Sequence, residues 1–198
     1  MIRQRYHYTT APKALEDWRN RQVTGLTNPA ATPKVSELQI GDDELRESIE
    51  KNQLKLMRER GADLTIFSPR ASFMAHHIGG FDTSSTWSAI CNELIHRVSR
   101  LFPQYFAGCG MLPQSPGVDP KTCLPELKRC VTEYGFVAVN LNPDPSGGIT
   151  HDAHPVVARP QDQAKRRVES GRREDEPRML RGSVALHFQV RKCNGGRK

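Results

Sequence analysis

The chain has 198 residues, 36% of them hydrophobic and 26% charged, with 29 Lys+Arg against 22 Asp+Glu and a formal net charge of +7. That apolar content is too high, and that charge too low, for a wholly disordered protein. No run approaches the roughly 18 apolar residues of a membrane span, and residues 1–10 are too polar for the core of a secretory signal, so a cytoplasmic protein with no membrane partner is expected.

The charge is unevenly placed. Residues 1–148 hold 17 basic and 16 acidic side chains, whereas residues 149–198 hold 12 and 6, so the basicity belongs to the tail. The five cysteines form no C-x-x-C pair, and Cys91, Cys123 and Cys130 fall inside amphipathic patterns, which points to small buried thiols.

Element signals follow in a regular order. A strand is expected over residues 1–8, then a short helix opened by Pro12, with Ala14, Leu15 and Trp18 on one side and an end by Gly25. Residues 27–40, with two X-Pro pairs, read as a long loop. Residues 42–60 read as one continuous helix whose buried face is Leu45, Ile49, Gln53, Leu56 and Met57, with acids in the first turn and Gly61 after the last.

The run DLTIFS (residues 63–68) is a buried strand. A helix beginning at Ser84 or Ser85 carries a wide stripe from Trp87 through Ile90, Leu94 and Val98 to Phe102, and Pro103 stops it. FAGCGML (residues 106–112) is the next strand. Asp119-Pro120 opens a third long helix ended by Gly135, and FVAVNL (residues 136–141) follows as a fourth strand.

Strands alternating with amphipathic helices predict a parallel sheet covered by helices, with chemistry at the C-terminal ends of the strands. Those ends are Ser68-Pro69-Arg70, residues 111–114 and residues 140–145. Beyond Gly148 no apolar period is sustained; disorder is expected over most of residues 149–198, with one short strand at residues 184–190.

Two strand-end segments carry candidate chemistry. SPRASFMAHH (residues 68–77) offers Arg70, which can grip a carboxylate through two parallel N–H bonds, and the adjacent His76 and His77. NLNPDPSGG (residues 140–148) offers the amides of Asn140 and Asn142, although its composition also suits a plain tight turn. His7 sits in the polar segment RYHYTT, where a lone histidine ordinarily carries no role. His96 reads as a structural residue at the edge of its helix stripe.

Taken together, HYTTAPKAL (residues 7–15), SPRASFMAHH, MLPQSPGVDP (residues 111–120) and NLNPDPSGG resemble the 4-oxalomesaconate hydratases. These belong to the amidohydrolase-like superfamily of metal-dependent (β/α)8 barrels and are related to the amino-carboxymuconate-semialdehyde decarboxylases. The resemblance implies an α/β fold, the N-terminal half of such a barrel over residues 1–148, joined to an aberrant basic tail over residues 149–198. It implies reversible addition of water to a carbon–carbon double bond of a tricarboxylic keto acid, in gallate and protocatechuate breakdown, with a zinc cofactor.

On that likeness Ser68, Arg70, His76, Asn140 and Asn142 are the substrate-binding candidates and His7 a metal ligand, while no catalytic acid or base is assigned. The family's first strand ends in His-x-His, and here the segment reads Arg5-Tyr6-His7, so one ligand is replaced by a cation. The expectation is therefore a chain of hydratase descent, without activity of its own. The alternatives are a related decarboxylase or hydrolase, or a non-catalytic half-barrel that self-associates through its open edges. Nucleic acid is not an expected partner, because Phe188 is the one aromatic residue after residue 148.

Overall fold

In the computed structural model, residues 3–70, 74–142 and 184–187 are described. The expected disorder of the tail falls on residues outside that set, apart from the strand at 184–187.

Four strands, β1 (Arg3–Tyr8), β2 (Leu64–Pro69), β3 (Phe106–Met111) and β4 (Ala138–Leu141), lie side by side in chain order and pair in parallel. Between them run α1 (Lys13–Thr24), α2 (Asp42–Ile49), α3 (Lys55–Glu59), α4 (Phe81–Leu101) and α5 (Leu124–Thr132). A fifth strand, β5 (Val184–His187), pairs antiparallel with all four residues of β4. Of the strand foreseen over residues 184–190, residues 184–187 are described and are extended, the rest lying outside the described residues; the antiparallel pairing with β4 has no sequence signal.

Alternate residues of a strand face opposite sides of the sheet, and each side has its own character. Toward the helices, Tyr8, Phe67 and Phe106 form an aromatic row, with ring centroids 5.2 Å and 4.9 Å apart, extended by Phe102 at the end of α4. Trp18 of α1 stacks on Trp87 of α4 at 6.2 Å and 8°. Burial of these rings and of Leu45, Ile49, Ile95 and Val98 makes one continuous core.

Two glycines of β3 let the helix layer approach. A Cβ on Gly108 would sit 2.3 Å from the Phe136 ring, and one on Gly110 would sit 2.8 Å from Cys130 Sγ. A side chain at either position forces α5 and the Phe136 turn away from the sheet.

Three helices differ from the sequence reading, one of them α5, where Pro120–Cys123 is a 3-10 turn and the α-helix runs only over Leu124–Thr132. α4 starts at Phe81, several residues early, because Gly80 serves as N-cap through its carbonyl, which accepts Ser84 N at 3.2 Å, without a capping side chain. The stretch 42–60 is also not one α-helix: Glu50–Leu54 forms a π-type turn between α2 and α3. The extra residue rotates everything after it. Leu54, rather than Leu56, enters the core, and Leu56 is left 37% exposed.

The loop over residues 27–40 contains two short 3-10 turns, Pro29–Ala31 and Val35–Glu37. Its end packs on the outside of the helix layer, where Val35, Leu38 and Ile40 line a cavity of about 580 Å³ with α4 and Arg129. The charged groups there are engaged by their neighbours: Arg97 by Asp42, Arg129 by Glu126, and Glu93 by Tyr134.

Candidate functional site

The strand ends gather the sequence candidates, and two different arrangements result. At the β1–β2 end, His7 is paired in register with Ser68. His7 Nδ1 lies 2.7 Å from Ser68 Oγ and 3.2 Å from the Pro69 carbonyl oxygen. A carbonyl can only accept, so the proton of a neutral His7 is on Nδ1 and Nε2 carries the lone pair. That is the tautomer a metal-ligating histidine uses when a backbone carbonyl holds its other nitrogen. Ser68 is fully buried behind the imidazole; its hydroxyl orients His7.

Arg70 follows directly. It lines a small crevice with Tyr8, Thr9, Ala11, Pro12 and Glu16, of about 30 Å³, room for water and not for a tricarboxylate. Tyr8, whose hydroxyl donates to Ser48, has its pKa pushed up to about 12, chiefly by burial, so it stays a neutral phenol there.

The adjacent histidines of residues 76 and 77 separate. His77 is exposed, while His76 is 1% exposed, with Nδ1 2.6 Å from Ser84 Oγ at the start of α4. Burial, then the nearby Arg19 guanidinium, then His77, push its pKa down to about 4, so His76 is a neutral imidazole near pH 7. Its Nε2 is buried with no hydrogen-bond partner among the described residues.

Arg19 explains how this segment is held. Its guanidinium carbon lies over the Trp87 ring, 5.0 Å from the centroid; it bonds Gln22 Oε1 at 2.5 Å and reaches the Ala75 carbonyl at 3.4 Å, while Gln22 donates to the Thr83 carbonyl at 3.2 Å. Helix α1 thereby clamps residues 75–83 against α4. Desolvation lowers the Arg19 pKa, yet the group remains a cation, as arginines in proteins do.

At the β3–β4 end most of the polar groups are spent on one another. Gln114 and Asn142 exchange two bonds, Asn142 N to Gln114 Oε1 at 2.7 Å and Gln114 Nε2 to the Asn142 carbonyl at 3.2 Å. Asn142 Nδ2 also donates to the Met74 carbonyl at 2.9 Å, which ties the loop after β2 to the end of β4. Asn140 is fully buried, and its Oδ1 accepts the Cys109 thiol at 3.5 Å.

From the helix side, buried Asn92 pins the last residue of β3. It accepts Met111 N at 2.7 Å and donates to the Met111 carbonyl at 2.8 Å and to Glu126 Oε1 at 2.6 Å. Glu126 in turn takes Arg129 through both of its oxygens.

The structure thus brings His7, Ser68 and Arg70 to one strand end and Asn140 and Asn142 to the other, joined through Met74. His76 stands behind, against α4. Arg19, Asn92 and Gln114 were missed as organisers. A signal existed for the first two: each is a polar residue inside an apolar helix stripe, a position that burial forces to be hydrogen-bonded. Gln114 had none beyond lying after a strand-end proline.

Among the described residues no group of three or more His, Cys, Asp or Glu side chains is placed to hold a metal ion. No helix among them is long and apolar enough to cross a membrane.

Comparison with known proteins agrees with this topology. A sequence profile of the amidohydrolases matches residues 6–168. The chain is 53% identical over 151 residues to a 2-keto-4-carboxy-3-hexenedioate hydratase of Sphingobium sp. (strain NBRC 103272 / SYK-6), covering 76% of this chain and 43% of that protein. The crystal structure of a 4-oxalomesaconate hydratase from Rhodopseudomonas palustris superposes with a TM-score of 0.72 at 62% identity, over 83% of this chain and 48% of that one. The chain spans about half the length of these relatives. Its four parallel strands in sequential order, each preceded by its own helix after β1, are the first half of a (β/α)8 barrel, and the chain belongs to the amidohydrolase family.

Proposed function

We propose that this chain carries the carboxylate-binding N-terminal part of a hydratase for 4-oxalomesaconate, which adds water to a carbon–carbon double bond in the breakdown of gallate and protocatechuate. The observation that carries the reading is the 62% identity to a 4-oxalomesaconate hydratase over 83% of the chain. A substrate with several carboxylates calls for a guanidinium and amide donors at the barrel mouth, which in a closed barrel is enclosed by eight strand-end loops. In this reading Arg70 grips a carboxylate, Asn140 and Asn142 shape the opposite wall, and Ser68 and His76 hold the binding segment in place.

The family chemistry calls for a metal, and zinc is the ion we assign to it, with His7 as one ligand through Nε2. A bound zinc would polarise and deprotonate the attacking water. The described residues do not complete such a site: His7 is a single ligand of suitable tautomer, and the sequence position two residues before it is Arg5. This chain alone therefore binds substrate without turnover. A non-catalytic half-barrel is the second reading, favoured by the same incomplete ligand set; self-association through its open edges is the partner that reading proposes.

Residues 1–148 form the barrel piece in this account and residues 149–198 an aberrant basic tail. The location is cytoplasmic, the partner a small polycarboxylate, and nucleic acid is not a partner.

Calorimetric titration with 4-oxalomesaconate, together with an absorbance assay for loss of its conjugated double bond with zinc or with chelator, tests the reading. Measurable binding that weakens in Arg70→Ala, without zinc-dependent turnover, is expected. Turnover above the chelated control would contradict the inactive state, and absence of binding would contradict the substrate class.

A further inference from the structure

In a closed (β/α)8 barrel, each strand pairs on both sides with parallel neighbours. Here β4 has β3 on one side in parallel register, Cys109 opposite Ala138 through Met111 opposite Asn140. Its other side is taken over its whole length by β5, with Ala138 opposite His187 and Leu141 opposite Val184. The polarity is the reverse of what the barrel puts there. An incoming parallel strand and β5 compete for the same N–H and C=O groups of β4, so the two cannot be accommodated together.

We propose that the outer edge of β4 is a strand-accepting interaction surface, and that residues 184–187 of this chain are its occupant, acting as an edge plug that keeps the half-barrel from pairing through β4 with a second copy. Main-chain pairing of this kind asks little of the side chains beyond an extended, largely apolar segment, and VALH supplies one. Being tethered to the same chain raises the effective concentration of the plug to about the millimolar range, above that of any free copy at ordinary protein concentration. At the opposite edge, β1 pairs with no second strand among the described residues, so no such plug is described there.

The test uses the full chain and the double substitution Ala185→Pro/Leu186→Pro, which removes a backbone donor whichever residue faces β4. Hydrogen exchange should find all of residues 138–141 protected in the unsubstituted chain, and in the variant only the amides that face β5 should lose protection while those bonded to β3 keep it. Size-exclusion chromatography with light scattering should give a single-chain mass for the former and a larger mass for the latter. Only the variant should be captured by an immobilised peptide of residues 181–190. Fast exchange at residues 138–141 in the unsubstituted chain would overturn the proposal. So would a variant of unchanged mass that ignores the peptide, or one that also loses protection in α4, since the plug covers an edge and does not support the core.

Discussion

The two strand ends of this half-barrel use similar residues for opposite purposes. At β3–β4, most of the amide groups are bound to a neighbouring loop or strand: Gln114 to Asn142, Asn142 to Met74, and Asn140 Oδ1 to Cys109. At β1–β2, Ser68 and the Pro69 carbonyl orient His7 so that Nε2 carries a lone pair, and Arg70 follows at the strand end. The first end is a rigid wall, and the second is where groups are set up for chemistry. Binding residues need such support, because a contact held a fraction of an ångström out of place loses most of its value.

This contrast orders the mutational effects. The largest belongs to Asn92→Ala, which leaves the Met111 N–H and C=O without partners in a buried setting and should cost about 3 kcal/mol in urea denaturation. An acid titration of stability comes next. The His76 pKa lies below its unfolded value of 6.5, at about 4, so the unfolded chain binds more protons between those pH values. Stability from this group is complete above about pH 6.5 and is lost as pH falls toward 4, by roughly 2–3 kcal/mol. His76→Gln should flatten that part of the profile, and an unchanged profile would show that the imidazole is not held neutral.

Arg70→Ala should cost less stability than Asn92→Ala, because the half-buried guanidinium is not part of the apolar core. It should nevertheless weaken tricarboxylate binding by at least roughly tenfold, the loss of one bidentate charge-assisted contact. Gln114→Ala, at the wall, should do the reverse: about 1 kcal/mol of stability, since both of its bonds are part-buried, with little direct effect on binding. Equal effects of these two substitutions on binding and stability would erase the distinction between wall and working end. Ser68→Ala should be the mildest, below about 1 kcal/mol, because the Pro69 carbonyl still accepts from Nδ1.

The parallel order of the four strands was legible because each is a short apolar run between long amphipathic helices, a pattern that burial on both faces imposes. What escaped was local. The π-type turn at Glu50–Leu54 swaps Leu54 for Leu56 in the core, and no residue type there announces a fifth residue in a turn. Gly80 caps α4 with its backbone alone, so the usual Ser, Thr, Asp or Asn signal pointed three residues too late. At the site, Arg70 and His7 were readable as chemistry-bearing residues past strand ends. That Asn142 and His76 serve to hold loops depended on Met74 and Ser84 meeting them, contacts between loops that a sequence does not order.

The central claim is that this chain presents an amidohydrolase strand-end layer with one suitably oriented imidazole and no complete metal site among its described residues. Metal analysis of the purified chain, after incubation with zinc and exhaustive dialysis, tests it most directly. The account predicts retained zinc well below one ion per chain, unchanged in His7→Ala; stoichiometric zinc lost in His7→Ala would contradict it.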